Sequence, residues 1–331
     1  MSRRSDERTA VAADNGFIAR LKRVQGIGAV VPLVLICIVL SILTPNFLTS
    51  GNILNVLRQA AVYAILACGM TFVIITGGID LSQGAMLALC HVVAAMVLNN
   101  GEGSIALAIL SSLGVGLLIG FINGAIIATL RIPAFIVTMG MMQILGGFTL
   151  VITNAAMISA RYDPFRVLGT GALLGVPIPI YIFTVVGLIS QFVLSYTSSG
   201  RYIFALGSNE EAAKLSGVRV NLNKVKVYML SGLMVGIAAI VYLARLGSAQ
   251  PAAGDSYELE AIAAVVIGGT SMSGGEGGIL GSILGAIIVA VIRNGLVLLG
   301  LSTYFQQMAV GTIIILAVAV DMLRNRFQSA S

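Results

Sequence analysis

The chain has 331 residues, of which 58% are hydrophobic and 10% are charged, and its mean hydropathy is +1.01. Soluble globular proteins carry roughly 25% charged residues, so this composition leaves no room for a separate soluble domain. Binding of nucleic acid would require the net charge of +6 to lie on a basic face of a soluble domain, and the sequence has no such domain. No nucleic-acid partner is therefore expected. The composition predicts an all-α polytopic membrane protein whose surroundings are a lipid bilayer.

Ten apolar segments, most of them near the length that crosses a bilayer, follow one another along the chain. The segment 258–271 is short, and the Gly/Ser-rich stretch after it predicts either two spans or one span and a re-entrant piece. The domains predicted are a tail over 1–27, a transmembrane domain over 28–323 and a tail over 324–331. The predicted spans are 28–45, 52–76, 80–99, 104–130, 133–153, 178–196, 224–247, 258–271, 276–299 and 304–323.

The basic residues predict the orientation of the chain. In this arrangement 14 of the 19 basic residues lie on one side: in the N-terminal tail, in the loop 197–226, at Arg131 and after the last span. The positive-inside rule then places both termini and the central loop in the cytoplasm. The polar N-terminal region contains Asp6 and Glu7 and is longer than a signal-peptide n-region, so the first span is expected to stay in the membrane.

Cysteine and glycine have structural interpretations here. Cys37, Cys68 and Cys90 all fall within predicted spans, where free thiols are expected to pack as small apolar groups. Their spacing matches neither a disulfide framework nor a metal site, and no metal or cofactor is expected. Gly116 and Gly120 recur at helical spacing, which predicts close packing between helices.

The apolar sequence is first interrupted by GGIDLS, residues 77–82. Non-helical backbone at membrane depth is tolerated only where protein or water satisfies it, and such interruptions mark binding sites and pivots in transporters. Asp80 is predicted to cap the next helix, with Gln83 at the third helical position. A direct role of the Asp80 carboxylate in gating or transport is the alternative. The candidate gating or structural residues are Gly77, Gly78, Asp80 and Ser82.

Polar side chains inside predicted spans are functional candidates. His91, the only histidine, shares a helical face with Gln83 and Leu87. We expect it to form an interhelical hydrogen bond rather than to relay protons, because no chain of Asp, Glu and His runs along the spans.

The fifth and last predicted spans mix aromatic, amide and methionine side chains. That mixture suits a weakly binding polar pathway, and helix packing is the alternative. The candidate pathway residues are Phe135, Thr138, Met139, Met142 and Gln143 in the fifth span and Tyr304, Gln306 and Gln307 in the last.

Residues 197–226 form a polar island between two long apolar segments. Ser208 is predicted to be a helix N-cap, Glu211 to complete a capping box, and Gly217 to end the helix. The implied helix over 209–216 is about 12 Å long, and such a short capped helix between two spans is expected to be presented to an aqueous partner. Ala212 and Leu215 share one of its faces. The candidate contact residues are Ser208, Asn209, Glu210, Glu211, Ala212, Leu215 and Gly217.

A second Gly-rich break, GGTSMSGGEGG, covers residues 268–278. Ser273 is predicted to cap the helix after it, with Glu276 at the third position. The stretch superficially resembles a signature of ATP-binding-cassette (ABC) ATPases, but the chain has no G-x-x-x-x-G-K-[ST] phosphate loop and no nucleophile–base pair. The chain itself is therefore predicted to hold no nucleotide and no catalytic residues. A similarity between residues 121–124 and 292–295 predicts an internal repeat.

With these motifs in view, the chain resembles the permease subunits of ribose-type sugar importers of the ABC class. The resemblance runs from about Pro45 to Asp321. The segment ALGSNEEAAKLSG is quite specific, and in that family it resembles the coupling helix that docks into the partner ATPase. The matching stretches are TPNFLTSGNILNVLRQ, ITGGIDLSQGAMLA, GFINGAIIATLRIPAFIVTMGMM, GRYIFALGSNEEAAKLSGV and AAVVIGGTSMSGGEGGILGSILGA.

The resemblance implies a type II ABC importer permease fold in the bacterial inner membrane. Two permease subunits, identical or paralogous, would form the pathway, and a cytoplasmic ATPase would hydrolyse ATP. A periplasmic binding protein would deliver a monosaccharide or a related polyol, and the coupling helix would pass the ATPase motion to the spans.

Other classes of transporter stay open at this point. A branched-chain amino-acid permease of the same superfamily is one, although the ribose-type motifs disfavour it. A stand-alone secondary transporter is another, and it would need an ion-coupling site and no ATPase dock. A channel or a scaffold is a weaker alternative.

Overall fold

The computed structural model of this chain describes residues 27–99, 104–160 and 162–329. The tail predicted over 1–27 lies outside the described residues except for Ile27, as do residues 330–331 of the second predicted tail. Helices make up nearly all the regular structure, and the strands are two residues each. The predicted all-α class is confirmed.

Each predicted apolar segment is helical over most of its length, because helices satisfy their own backbone hydrogen bonds in lipid. The helices are α1 (Ile27–Leu43), α2 (Ser50–Ile75), α3 (Gln83–Asn99), α4 (Ile105–Leu130), α5 (Ala134–Thr153), α6 (Asp163–Thr170), α7 (Ile178–Tyr196), α8 (Ser198–Ser208), α9 (Glu210–Leu215), α10 (Val220–Leu246), α11 (Tyr257–Ile267), α12 (Ile279–Leu298) and α13 (Thr303–Ser329).

Ten membrane crossings are not confirmed. Six of the described helices, α2, α4, α5, α7, α10 and α12, are long and apolar enough to cross a membrane. Helix α11 has 11 residues, which give about 16 Å against a hydrocarbon core of about 30 Å. The re-entrant alternative therefore fits α11 better than a full span. Helix α13 continues to Ser329, past the predicted start of the tail at residue 324.

The core is built around α2 and α10. Every residue of α2 from Ala60 to Ile75 is buried, as expected for a helix that is apolar all round. Helices α4 and α10 approach closely where glycines leave space. A Cβ at Gly116 would overlap the carbonyl oxygen of Gly232, and one at Gly120 would overlap that of Tyr228. The predicted close packing at these two glycines is confirmed.

The connections after α5 and α10 meet in a short strand pairing. Strand β1 (Ile158–Ser159) pairs antiparallel with β4 (Ser248–Ala249). Strands β2 (Ala172–Leu173) and β3 (Val176–Pro177) form a hairpin between α6 and α7. None of these strands was predicted, because two-residue pairings leave no periodic signal.

Candidate functional site

The polar island folds into two short helices, α8 and α9, where one was predicted. Ser208 is the last residue of α8, and its hydroxyl donates to the Phe204 carbonyl oxygen at 2.9 Å. Asn209 is the N-cap of α9, because its side-chain oxygen accepts from the Ala212 amide at 2.9 Å. The predicted cap at Ser208 is therefore wrong by one residue, and the capping box with Glu211 does not form. Both residue types cap well, so the sequence alone did not separate them.

Gly217 lies two residues after the end of α9 and stops the helix, as predicted; its φ is 84°. Its amide donates to the Lys214 carbonyl oxygen at 3.0 Å, and the Val218 amide donates to that of Ala213 at 3.1 Å. A left-handed residue just past the last turn is the usual helix stop.

Two contacts fix α9 to its own chain. Lys224 Nζ at the start of α10 lies 2.7 Å from Glu210 Oε2. Ala213 is buried in a small apolar cluster with Leu206 and Val220. This attachment leaves the opposite face of α9 free, with Glu211 and Ala212 exposed and Leu215 90% exposed.

Helix α8 directly precedes α9 and packs against both Gly-rich breaks, residues 77–82 and 268–278. A Cβ at Gly207 would overlap the carbonyl oxygen of Ile75, the last residue of α2, and the amide nitrogen of Gly275 in the second break. That Gly275 amide donates to the Ile75 carbonyl oxygen at 2.9 Å. We call the contact of Ile75, Gly207 and Gly275 the glycine junction. Sequence reasoning missed it, although a lone glycine inside a helix was a usable signal.

The two Gly-rich breaks adjoin each other at the glycine junction. A Cβ at Gly274 would lie 3.1 Å from the amide nitrogen of Gly77. Both glycines have positive φ, 82° and 77°, a conformation that glycine adopts without strain. The segment that holds α9 therefore contacts both places where the membrane helices are interrupted.

The first break is held by a hydrogen-bond network around Asp80, which is completely buried. Asp80 Oδ1 accepts from the Ser82 hydroxyl at 2.6 Å and from the Ser82 amide at 3.1 Å. Asp80 Oδ2 accepts from the Ser231 hydroxyl of α10 at 2.9 Å. Each of these hydroxyls also accepts a hydrogen bond from a side-chain amide. The Asn123 side chain donates to the Ser82 hydroxyl and the Gln83 side chain donates to the Ser231 hydroxyl, both at 2.9 Å. We call these five side chains the Asp80 network.

The two predicted caps at the breaks are wrong. Helix α3 begins at Gln83, and the hydrogen bonds of Asp80 go to Ser82 and Ser231, so Asp80 links the break to α10. Helix α12 begins at Ile279 after Gly278, without a side-chain cap, and Ser273 lies five residues before that glycine. Both breaks extend further before the helix starts than the capping pattern predicted.

The candidate pathway residues divide between the surface and the interior. Thr138 is buried, and its hydroxyl oxygen accepts from the Leu81 amide of the first break at 3.1 Å. Gln306 is 7% exposed, and its amide nitrogen donates to the Leu301 carbonyl oxygen. Neither fits the prediction that it lines an open pathway, because both are occupied inside the chain. Met142 is half-buried. The exposed members are Phe135, Met139, Gln143, Tyr304 and Gln307.

The buried His91 uses both ring nitrogens. Nδ1 lies 2.8 Å from the Leu87 carbonyl oxygen, and Nε2 accepts from the Gln250 amide at 3.1 Å. One neutral tautomer satisfies both contacts. The predicted interhelical hydrogen bond is not among the contacts of His91 in the described part of the chain, because Nδ1 bonds within its own helix and the partner of Nε2 is the loop after β4.

An ion pair not foreseen in the sequence joins α11 to α12. Arg293 Nη2 lies 2.9 Å from Glu260 Oε1, and Arg293 Nη1 donates to the Tyr63 hydroxyl of α2 at 3.0 Å. Glu260 is only 1% exposed. Charged groups inside a membrane domain are paired in this way because an isolated charge is costly there.

A family model described as the permease component of branched-chain amino acid transport systems matches residues 52–318. The ribose import permease protein RbsC of Escherichia coli (strain K12) is 48% identical over 293 residues, 87% of this chain and 91% of that protein. The protein of that name in Bacillus subtilis (strain 168) is 43% identical over 304 residues, 91% of this chain and 94% of its own. The probable ABC transporter permease protein YphD of Escherichia coli (strain K12) is 38% identical over 313 residues, 95% of this chain and 93% of its own. No solved structure matches this chain significantly.

Proposed function

The chain belongs to the permease-component family of branched-chain amino acid transport systems, and from this premise we propose that it is the membrane subunit of an ATP-driven ABC importer. Its cargo is a monosaccharide or a related polyol. Relatives at 43% identity and above, matched over most of both chains, are named ribose import permeases. The chain works in the inner membrane with a cytoplasmic ATPase, a periplasmic binding protein and a second permease subunit.

The observation that carries this proposal is the presentation of α9. The helix is fixed to its own chain on one side and exposes Glu211, Ala212 and Leu215 on the other. We infer that this exposed face enters a cleft of the ATPase and that the ATPase supplies all catalysis. Closure of the ATPase on ATP would displace α9, and α8 would carry that displacement to the glycine junction and both breaks.

The coupling proposal predicts that Ala212→Arg abolishes ATP-driven uptake, because the much larger arginine side chain cannot enter a cleft that accommodates alanine. The measurements are cargo uptake and ATP hydrolysis in proteoliposomes that hold the permease, the ATPase and the binding protein. The matched control is Ala156→Arg, which adds the same side chain at an exposed position of the loop after α5. Normal uptake in Ala212→Arg would refute the docking of α9.

The same assay tests the class of transporter and of cargo. Uptake that needs ATP and co-purification with an ATPase are expected, and an ion-gradient-driven uptake without ATP would instead identify a secondary transporter. Radiolabelled ribose and other sugars are compared with leucine, because the family takes its description from amino-acid systems. Transport of leucine in place of every sugar would replace the cargo proposal.

We infer that the pathway lies between two permease subunits and is lined by the exposed residues of α5 and α13. Single cysteines at Phe135, Met139 and Gln143, in a background without Cys37, Cys68 and Cys90, are expected to react with a water-soluble thiol reagent. Their reactivity should change when ATP is trapped, because alternating access opens the cavity to one side at a time.

The control for this labelling is Thr138→Cys, because Thr138 is buried on the same helix. Ile136, on the same helix, is 45% exposed and does not serve as a control. Equal labelling at all positions in every state would contradict the proposed pathway.

The binding protein is proposed to dock on the β2–β3 hairpin. Leu174 at its tip is 92% exposed and has φ of 52°, a left-handed conformation that is unusual for leucine. The two central residues of this hairpin, Leu174 and Gly175, both have positive φ, as a type I′ turn requires. An apolar side chain held at such a position points to a contact with a partner.

A further inference from the structure

A cavity of about 330 Å³ lies beside the first break, at the end of the molecule that carries α9. Its walls come from the break, from the turn between α4 and α5, from α10 and from Glu210 of α9. Small-molecule sites begin at about this size. We call this cavity the break pocket.

The wall formed by the α4–α5 turn is suited to an anion. Arg131 ends α4 in a left-handed conformation, with φ of 56°, and is exposed. Within residues 27–99, 104–160 and 162–329 it forms no ion pair. Pro133 and Ala134, at the start of the 20-residue α5, also line the pocket. The first amides of a helix have no partner in the helix itself and carry a partial positive charge.

The inner wall holds a polar group without a partner. Tyr228 is 2% exposed, and its hydroxyl has no hydrogen-bond partner in the described part of the chain. That hydroxyl lies beside Gly78, where a Cβ would come within 2.6 Å of it. Buried hydroxyls almost always have a partner, so an unpartnered one on a pocket wall indicates that something polar binds there.

We propose that the break pocket binds a small phosphate monoester that also carries hydroxyls, namely a phosphorylated monosaccharide. The phosphate lies between Arg131 and the start of α5, where it meets a guanidinium and free amides. A ligand hydroxyl takes the Tyr228 hydroxyl as its partner. This identification rests on the proposed function, because the ligand is a phosphorylated form of the cargo class.

Occupancy of the pocket would act on the coupling helix. Lys224 and Glu210 both line the pocket, and their ion pair is one of the two contacts that fix α9. A bound phosphate competes with Glu210 for Lys224, since both are anions within reach of the same ammonium. The ligand would therefore loosen α9 and lower uptake when the phosphorylated sugar accumulates.

The binding experiment uses the absence of tryptophan from the sequence. Ile132→Trp places a single tryptophan in the pocket wall. The purified full chain, in nanodiscs of phosphatidylcholine, is titrated with glucose 6-phosphate, glucose and inorganic phosphate while the tryptophan fluorescence is measured. We expect a saturable change with glucose 6-phosphate, a weaker affinity for phosphate and no change with glucose.

Matched variants in the Ile132→Trp background localise the site. Arg131→Gln is expected to raise the Kd for glucose 6-phosphate about tenfold or more, because it removes one charge-assisted hydrogen bond to the phosphate. Tyr228→Phe, which removes only the hydroxyl, is expected to raise it about threefold to tenfold. Arg201→Gln removes an exposed arginine of α8 that does not line the pocket and should leave the Kd unchanged.

Three results would overturn the proposal: no saturable signal, an equal response to glucose, or an unchanged Kd in Arg131→Gln. The titration is also repeated in nanodiscs that contain phosphatidylglycerol. A complete loss of the signal there would mean that a lipid headgroup occupies the pocket. The assay contains no ATPase and measures no uptake. Its failure therefore leaves the proposed importer function standing, and a failure of uptake leaves the binding result standing.

Discussion

Replacing Gly207 by valine is expected to abolish ATP-driven uptake. Any Cβ at this position overlaps the Ile75 carbonyl oxygen and the Gly275 amide nitrogen, both backbone atoms that cannot turn aside. The substitution therefore separates α8 from the ends of both breaks, and overpacking of this kind costs about 1–3 kcal/mol or more. Uptake and ATP hydrolysis are measured in proteoliposomes that contain the whole transporter.

The control for Gly207→Val is Gly114→Val in α4, where a Cβ would meet nothing within 4 Å. It introduces the same β-branched residue into a helix without a steric conflict. We expect the Gly207 variant to hydrolyse ATP without moving cargo, because α9 can still dock while its movement no longer reaches the breaks. Unimpaired uptake in Gly207→Val would show that the glycine junction is not the route of coupling.

Asp80→Ala is the second substitution with a large expected effect. It removes the acceptor of the Ser82 hydroxyl, the Ser82 amide and the Ser231 hydroxyl, all of them buried. An unsatisfied buried donor costs about 1–3 kcal/mol, so the alanine variant should lose both thermal stability and uptake. Asp80→Asn keeps one side-chain oxygen and should fall between the wild type and the alanine variant.

Thermal stability of the purified permease and uptake in proteoliposomes measure these effects. The control is Ser111→Ala, because within the described residues the Ser111 hydroxyl bonds only to the Ala108 carbonyl oxygen of its own helix. If Asp80→Asn matched the wild type in stability but transported nothing, the negative charge itself would be needed for gating. If Asp80→Ala matched the wild type in both measurements, the Asp80 network would carry no part of the stability or the transport.

The sequence predicted the helices well because the length of each apolar segment is a local signal, and because a helix in lipid satisfies its backbone hydrogen bonds within that same segment. It also located α9, since a polar island with a capping residue and Gly217 is a local signal. The cap itself was misplaced because Ser208 and Asn209 are equivalent as caps, and only the last turn of α8 decides between them.

The contacts that make up the site were not predictable in the same way. The glycine junction joins residues 75, 207 and 275, which lie far apart along the chain, and no local pattern reports such a meeting. Asp80 was recognised as a candidate, but its partner Ser231 lies on α10 and emerges only once α2, α3 and α10 are packed. The polar side chain of Thr138 suggested a pathway residue. In the structure its hydroxyl oxygen instead accepts a hydrogen bond from the Leu81 amide and stabilises the first break.

The half-length helix α11 has a consequence for how the protein is made. A segment of 11 residues with Glu258 and Glu260 in its first turn is too short and too charged to enter the bilayer as an independent helix. Glu260 becomes compatible with that environment only beside Arg293 of α12, which is synthesised later. We therefore expect residues 257–278 to enter the membrane domain after α12 has been inserted, and in a released chain truncated before α12 this segment should be accessible to protease.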